Sequence, residues 1–138
     1  MKQGEFNVLV IEDNGAVTLL VQTLLRDVSR PRFRVEFATA IRAALNRLRE
    51  ERFDVILVDI SWAWNVDPAA LKKIRIFAPE TAVVLLTDRN AVTSRLNDSD
   101  YAGGDLLVKG EFDAELLKST LCRAVARRQV QELPHLYS

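Results

Sequence analysis

The sequence has 138 residues, 49% of them hydrophobic, and its 19 basic side chains balance 19 acidic ones, which is typical of one globular domain and not of a disordered chain. Because no positive charge is in excess, we expect neither a nucleic-acid partner nor a membrane partner. The single cysteine, Cys122, excludes an intramolecular disulfide, and since no segment has the pattern of a signal peptide or a membrane span, we expect a cytoplasmic protein.

Strand-like and helix-like segments alternate from the beginning of the chain. A strand is predicted at 6–11, and the helix that follows has Asp13 or Asn14 as its N-cap. The residues that recur at helical spacing and indicate this helix are Ala16, Leu19, Leu20, Thr23, Leu24 and Val28. The alternating pattern of 33–38 then predicts a strand near a sheet edge. Thr39 is the predicted N-cap of a second helix, with an apolar face of Ile41, Ala44, Leu45 and Leu48.

The middle of the chain contains its most hydrophobic strand. The continuous apolar run 55–58 predicts a strand buried on both faces, and Asp59 follows it directly. Asp67 and Pro68 predict the start of a third helix, because a capping carboxylate precedes a proline at the first helical position. The predicted inner side of that helix is Leu71, Ile74 and Phe77. Residues 82–86 predict a fourth buried strand, which ends at Thr87 and Asp88.

The last third of the chain completes the alternation. A weakly amphipathic segment at 91–96 predicts a short helix, and 106–108 predicts a fifth strand, which Lys109 follows. Residues 113–130 predict a long final helix whose inward residues are Leu116, Leu117, Thr120, Leu121, Ala124 and Val125. Five strand–helix units at this spacing predict an α/β fold with a parallel sheet, right-handed crossovers and helices on both faces.

Polar side chains follow four of the predicted strands, at the edge where open α/β sheets bind ligands. They are Glu12, Asp13, Asp59, Thr87, Asp88 and Lys109. Clustered carboxylates repel one another, and Mg²⁺ would relieve that repulsion. A lysine and a threonine would stabilise a transferring phosphoryl group, toward which aspartate is a known nucleophile. Each residue alone has a plainer interpretation as a helix cap or a solvated side chain; the complete set favours phosphoryl chemistry.

The acidic pair Glu12 and Asp13 follows the first strand, Asp59 the third, Thr87 the fourth and Lys109 the fifth. With these five residues in this order, residues 5–125 resemble the receiver domain of two-component response regulators. The resemblance implies a flavodoxin-like (CheY-like), doubly wound sheet of five parallel strands in the order 2-1-3-4-5. It also implies a receiver domain at 1–125 and a C-terminal helical extension or tail at 126–138.

The resemblance further implies a magnesium site. Asp13 would bind Mg²⁺ directly and Glu12 through water, at the same centre as Asp59. The backbone carbonyl of Ser61 would complete the protein ligands.

The resemblance assigns the phosphoryl chemistry to three residues. Asp59 would accept a phosphoryl group from a histidine kinase or a phosphotransfer protein, so the domain is not expected to be a turnover enzyme. Thr87 would bond a phosphoryl oxygen and Lys109 would pair with the phosphate. The modification would bias a two-state surface formed by the fourth strand, the 91–96 helix and the fifth strand.

Signalling would then pass to a downstream protein or a fused output domain. A homodimer is a further expectation, because Val125, Val130 and Leu133 could line a seam along the last helix.

Several positions depart from the family pattern. Gly110 replaces the usual proline, Leu106 replaces a switching aromatic residue, and Asp88 replaces a small residue beside the site. Asp88 either faces solvent or pairs with Arg89. Trp62 and Trp64 either pack between the loop and the third helix or form an exposed partner surface or lid. These departures leave a second hypothesis open, namely a degenerate receiver that acts as a phosphorylation-independent interaction module.

A third hypothesis is a small hydrolase that uses an aspartyl phosphate. It is disfavoured because such enzymes have a second aspartate two residues beyond the nucleophile, where this chain has Ser61.

Overall fold

The computed structural model describes residues 4–61, 67, 69–89 and 105–132. Within these ranges the elements are β1 (Glu5–Ile11), α1 (Gly15–Arg26), β2 (Arg32–Ala38), α2 (Ile41–Glu50), β3 (Val55–Asp59), α3 (Ala70–Phe77), β4 (Ala82–Thr87), β5 (Asp105–Val108) and α4 (Ala114–Glu132). The predicted helix at 91–96, the tryptophans Trp62 and Trp64, Pro68 and Leu133 lie outside the described residues. No helix in the described part of the chain combines the length and the hydrophobicity needed to span a membrane.

The five strands form one parallel sheet in the order β2-β1-β3-β4-β5, which confirms the order implied by the resemblance. The register pairs Ile11 at the end of β1 with Val58 in β3, and Thr87 at the end of β4 with Val108 at the end of β5. The carboxyl ends of the strands therefore lie along one edge of the sheet. The strand predicted to be near an edge, β2, is indeed the outermost strand on its side.

Helices cover both faces of the sheet, as predicted, and each face has its own hydrophobic cluster. One cluster joins α2 and α3 to the sheet through Ile41, Ala44, Leu48, Leu71 and Ile74. The other joins α1 and α4 to the opposite face through Val21, Leu25, Leu117, Leu121, Ala124 and Val125. All five residues of β3 are buried, because this strand lies in the middle of the sheet with a helical layer on each side. Burial of each large aliphatic side chain stabilises the fold by about 1.5–3 kcal/mol.

The residues whose spacing indicates α1 lie only in part on its buried face. Leu19 and Leu20 are 63% and 41% exposed, whereas Val21 and Leu25 are buried against the sheet. Apolar residues occupy more than one side of this helix, and successive residues are about 100° apart around an α-helix. The hydrophobic pattern therefore indicates a helix without fixing its buried face, and of the pattern residues Leu24 packs against the sheet cluster. Leu116 of α4 was predicted to face inward and is 42% exposed.

The helix caps agree with the prediction only in part. The side-chain oxygen of Asn14 accepts a hydrogen bond from the Ala16 N–H at 2.9 Å, so Asn14 is the cap of α1. The predicted cap of α2, Thr39, is wrong, because the N-cap position is Ala40 and no side chain bonds there. The Asp67 carboxylate accepts a hydrogen bond from the Ala69 N–H at 2.9 Å, just before α3.

Helix α4 continues without interruption across residue 125, the predicted end of the domain. Arg127 forms an ion pair with Asp105, the first residue of β5, at 3.0 Å, and Arg128 is half-buried. The helix therefore still contacts the sheet beyond residue 125. The extension or tail at 126–138 stays a prediction.

Leu25→Ala should lower the free energy of unfolding by about 2–4 kcal/mol, because it leaves a cavity in the cluster between α1 and the sheet. Leu19→Ala, in the same helix, should change it by at most about 0.5 kcal/mol, because the side chain is exposed. Urea denaturation followed by circular dichroism measures both values. Similar losses in the two variants would contradict the observed orientation of α1.

Candidate functional site

Asp59 is the last residue of β3 and is fully buried. Its Oδ2 lies 2.6 Å from the ammonium nitrogen Nζ of Lys109. Its Oδ1 accepts hydrogen bonds from the backbone N–H and the hydroxyl of Ser61, at 3.0 and 2.5 Å. Each carboxylate oxygen therefore has its own donor, and the side chain is held in one orientation at the edge of the sheet.

Lys109 enters the site from the turn after β5. Its backbone N–H donates to the Thr87 carbonyl at 2.9 Å, which continues the pairing of β4 with β5 by one residue. Gly110 then turns the chain with a φ of 78°, in the left-handed region that favours glycine. Besides Asp59, the ammonium has two more distant carboxylate neighbours, Glu12 at 3.7 Å and Asp88 at 3.9 Å. One cation thus faces three carboxylates.

Glu12 is fully buried beside Asp59. Its Oε1 accepts a hydrogen bond from the Asn14 N–H at 3.1 Å. Its Oε2 has no hydrogen-bond partner among the described residues. When Glu12 is ionised this oxygen lacks a donor, because the Asp59 carboxylate can only accept hydrogen bonds and Lys109 lies 3.7 Å away; a protonated Glu12 would instead donate to Asp59. Buried polar atoms without a partner are uncommon, and each needs an explanation such as a bound ion.

The electrostatic environment shifts the pKa values of Glu12, Asp59 and Lys109 away from their ordinary values. Burial raises the pKa of Glu12 from 4.5 to about 8, with the hydrogen bond to Asp59 and the charge of Asp59 adding to the effect. Burial also opposes ionisation of Asp59, but hydrogen bonds from Glu12, Lys109 and Ser61 outweigh it and lower the Asp59 pKa. The pKa of Lys109 is raised despite its burial, because Asp59 and the other carboxylates stabilise the ammonium. The site therefore favours an ionised Asp59 next to a charged lysine.

The donor set fits a hard divalent cation. One carboxylate oxygen from each of Glu12, Asp13 and Asp59 lies within 4.8 Å of the others. Mg²⁺ prefers carboxylate, carbonyl and water oxygens, and Asp13 is exposed, which leaves room for water ligands on that side. The Glu12 Oε2 without a donor is the atom that such a cation would satisfy.

The structure brings Glu12, Asp13, Asp59 and Lys109 together, and it places Thr87 at the end of the adjoining strand. Thr87 is fully buried, and its hydroxyl donates to the backbone carbonyl of Asp88 at 3.2 Å. The threonine thus faces the segment that follows β4.

Two features of the site were not predicted. The Ser61 hydroxyl and N–H hold Asp59, and an aspartate with a hydroxyl residue two positions later is a local signal for this turn. Arg89 forms two hydrogen bonds with Glu111, one of them 2.5 Å long. This pair links the segments that follow β4 and β5, and no local sequence signal predicts it because 22 residues separate its members. Arg89 is bound to Glu111 here, not to Asp88, for which pairing with Arg89 was one alternative.

Comparison with known proteins places these features in a family. The sequence model described as the response regulator receiver domain matches residues 8–121. The transcriptional regulatory protein ZraR of Klebsiella oxytoca is 30% identical over 134 residues, which are 97% of this chain and 29% of that protein. Response regulator MprA of Mycolicibacterium vanbaalenii is 28% identical over 121 residues, or 88% of this chain and 50% of that protein. The chain thus spans less than a third of ZraR and half of MprA.

Solved structures support the same fold. The receiver domain of sensor histidine kinase PA1611 from Pseudomonas aeruginosa, which has a magnesium ion coordinated in its active site cleft, aligns with a TM-score of 0.70 at 23% identity. That alignment covers 88% of this chain and 98% of the other. NtrX from Brucella abortus aligns with a TM-score of 0.78 at 22% identity over 96% of this chain and 29% of the other.

The stability of the metal-free protein should fall as the pH rises from 4.5 to about 8, the ordinary and the folded-state pKa values of Glu12. Between these values the folded state binds more protons than the unfolded state, so the stabilisation is complete below the lower value and is lost as the pH approaches the higher one. The lowered pKa of Asp59 acts only at acidic pH and the raised pKa of Lys109 only at alkaline pH, outside this window.

Thermal denaturation between pH 5 and pH 8 in a chelating buffer measures this dependence. In Glu12→Gln, which is neutral throughout, most of the slope should disappear. An unchanged slope in that variant would show that Glu12 keeps an ordinary pKa in the folded protein.

Proposed function

Because the chain belongs to the family of response regulator receiver domains, we propose that it accepts a phosphoryl group on Asp59 from a histidine kinase or a phosphotransfer protein. The observation that carries this proposal is the contact between Asp59 and Lys109, at 2.6 Å, beside the carboxylates of Glu12 and Asp13. A buried acid with a bound ammonium and a donor set for a hard cation suits phosphoryl transfer better than a purely structural role.

The side chains that contact Asp59 would prepare it as the nucleophile. Its lowered pKa keeps the carboxylate ionised, and Ser61 and Lys109 fix its orientation. In the transfer, a carboxylate oxygen forms a bond to phosphorus while the bond between phosphorus and the donor's histidine nitrogen breaks. The Lys109 ammonium would stabilise the negative charge on the transferring phosphoryl oxygens.

We assign the magnesium site to Glu12, Asp13, Asp59 and the backbone carbonyl of Ser61. When bound, Mg²⁺ would neutralise charge on the phosphoryl oxygens and on the surrounding carboxylates. The Glu12 Oε2 supports this assignment, because it is buried and has no hydrogen-bond partner in the described part of the chain. Asp13 supports it as well, because it contributes an oxygen to the same cluster from the exposed side.

Thr87 would report the modification. Its hydroxyl now donates to the Asp88 carbonyl, so a bond to a phosphoryl oxygen would require the hydroxyl to exchange one acceptor for another. That exchange would release the backbone of Asp88 and so change the segment after β4, which is how a local bond can bias a larger surface.

The domain would act as a stoichiometric switch and not as a turnover enzyme. Its curated relatives are much longer, so a fused output domain is one proposed recipient of the signal, and a separate downstream protein or a second copy of this chain is another. The cytoplasmic location and the homodimer expected from the sequence stay predictions.

Incubation with potassium phosphoramidate and MgCl₂ should increase the intact mass by one phosphoryl group. Asp59→Asn should show no increase, because the amide is not a nucleophile toward phosphorus. Asp27→Asn, at the exposed end of α1, is the matched control and should behave like the unchanged protein. The same mass gain in Asp59→Asn would place the modification on another residue.

Asp13→Asn should weaken Mg²⁺ binding by roughly tenfold or more, because changes around a metal centre have effects of this size or larger. Isothermal titration calorimetry with MgCl₂ measures the affinity, and Asp27→Asn again serves as the control. Equal affinities for the Asp13 variant and the control would remove Asp13 from the magnesium site.

A further inference from the structure

Asp88 is the one carboxylate around Lys109 that lies on the open side of the site. Glu12 and Asp59 are fully buried, whereas the side chain of Asp88 is 57% exposed and that of Lys109 is 21% exposed. The ammonium is therefore placed between a buried carboxylate, 2.6 Å away, and an exposed one, 3.9 Å away. A group added to Asp59 would lie beside this ammonium, which Asp88 approaches from the exposed side.

Among the described residues, Lys109 is the cation found beside the Asp88 carboxylate. The neighbouring guanidinium, Arg89, forms its ion pair with Glu111 instead. The charge of Asp88 is thus balanced by the same ammonium that binds Asp59. A phosphoryl group on Asp59 would therefore compete with the Asp88 carboxylate for that ammonium.

We propose that Asp88 shortens the lifetime of the phosphoryl group on Asp59, because it places a second negative charge across Lys109 from that group. This inference rests on the proposed phosphoacceptor role of Asp59. It adds a residue that determines how long the modified state lasts.

The direction of the effect follows from where the charges lie. A phosphoryl group brings up to about two negative charges, and like charges a few ångströms apart repel strongly near a protein surface. In hydrolysis, a water oxygen bonds to phosphorus while the bond from phosphorus to the Asp59 oxygen breaks. The products are inorganic phosphate and the free carboxylate, and the proton of the water passes to phosphate or solvent.

As that bond breaks, negative charge moves from the phosphoryl oxygens to the departing Asp59 oxygen. Asp59 lies against Lys109 and away from the exposed side, so the repulsion from Asp88 is weaker in the transition state than in the phosphorylated protein. Asp88 therefore accelerates the loss of the phosphoryl group.

The test measures the half-life of the phosphorylated protein. The full chain is phosphorylated with potassium phosphoramidate and MgCl₂, the donor is removed by rapid gel filtration, and the remaining adduct is followed by intact mass. Asp88→Asn, which keeps the size of the side chain and removes its charge, should lengthen the half-life on the order of tenfold. Asp88→Ala should lengthen it similarly.

The matched control is Glu80→Gln. It removes one exposed negative charge near the opposite end of β4, where Glu80 pairs with Arg52, and it should leave the half-life unchanged. Raising the KCl concentration to about 1 M should shrink the difference between Asp88→Asn and the unchanged protein, because salt screens exposed charges. A purely steric role for Asp88 would not respond to salt in this way.

The outcomes separate this inference from the proposed function. An adduct that accumulates with Asp88→Asn but decays too fast to detect in the unchanged protein supports the inference. An adduct with the same half-life in both overturns it and leaves the role of Asp59 intact. A shorter half-life for Asp88→Ala with no change for Asp88→Asn also overturns it, because Asp88 would then act by excluding water. No adduct in any variant overturns both proposals.

Discussion

The ion pair between Asp59 and Lys109 depends on the order of the strands. The two residues are 50 positions apart in sequence; Asp59 ends β3 and Lys109 directly follows β5, and these strands are not neighbours because β4 lies between them. Adjacent strands are about 4.8 Å apart, so the two strand ends are separated by about 10 Å. Only a long side chain can cross that distance, and Lys109 does so over the end of β4. Thr87 ends β4 and Asp88 follows it, so both residues lie beside the lysine where it crosses this strand end.

The same geometry gathers more carboxylates than cations around one point. Ionised groups are costly to bury unless they are paired, and one ammonium serves Asp59, Glu12 and Asp88 at increasing distances. Glu12 accommodates the imbalance through a raised pKa, which keeps it largely protonated at neutral pH. A bound cation would accommodate it in another way and allow Glu12 to ionise. Protons and a bound cation would therefore act on the acidic site for the same reason.

Sequence patterns predict those parts of the fold in which a hydrophobic pattern is compatible with a single arrangement of the element. The continuous apolar run of β3 fits only a central buried strand, and the polar residues after the strands could be placed at one edge because parallel strands share a direction. The pattern of α1 predicts the helix but not its buried face, because leucines and valines on several sides allow more than one orientation. The Arg89–Glu111 pair was not predictable, since it depends on the separation of two loops. The convergence of Asp13, Asp59 and Lys109 was predictable, because each ends a strand or closely follows one and parallel strands end at the same edge.

The positions that depart from the family pattern limit how a modification could be transmitted. Gly110 has a φ of 78°, which proline cannot adopt, so the turn after Lys109 differs in backbone conformation from one that contains proline there. Leu106 is partly buried and packs against the cluster of α2 and α3, so it offers no aromatic ring that could change between two positions. Among the described residues next to the site, the hydroxyl of Thr87 donates to the backbone carbonyl of Asp88 and could change its acceptor. A phosphoryl group would attract this hydroxyl away from the Asp88 carbonyl and would also repel the Asp88 carboxylate. Both effects act on Asp88, so the effect of phosphorylation would begin in the segment after β4.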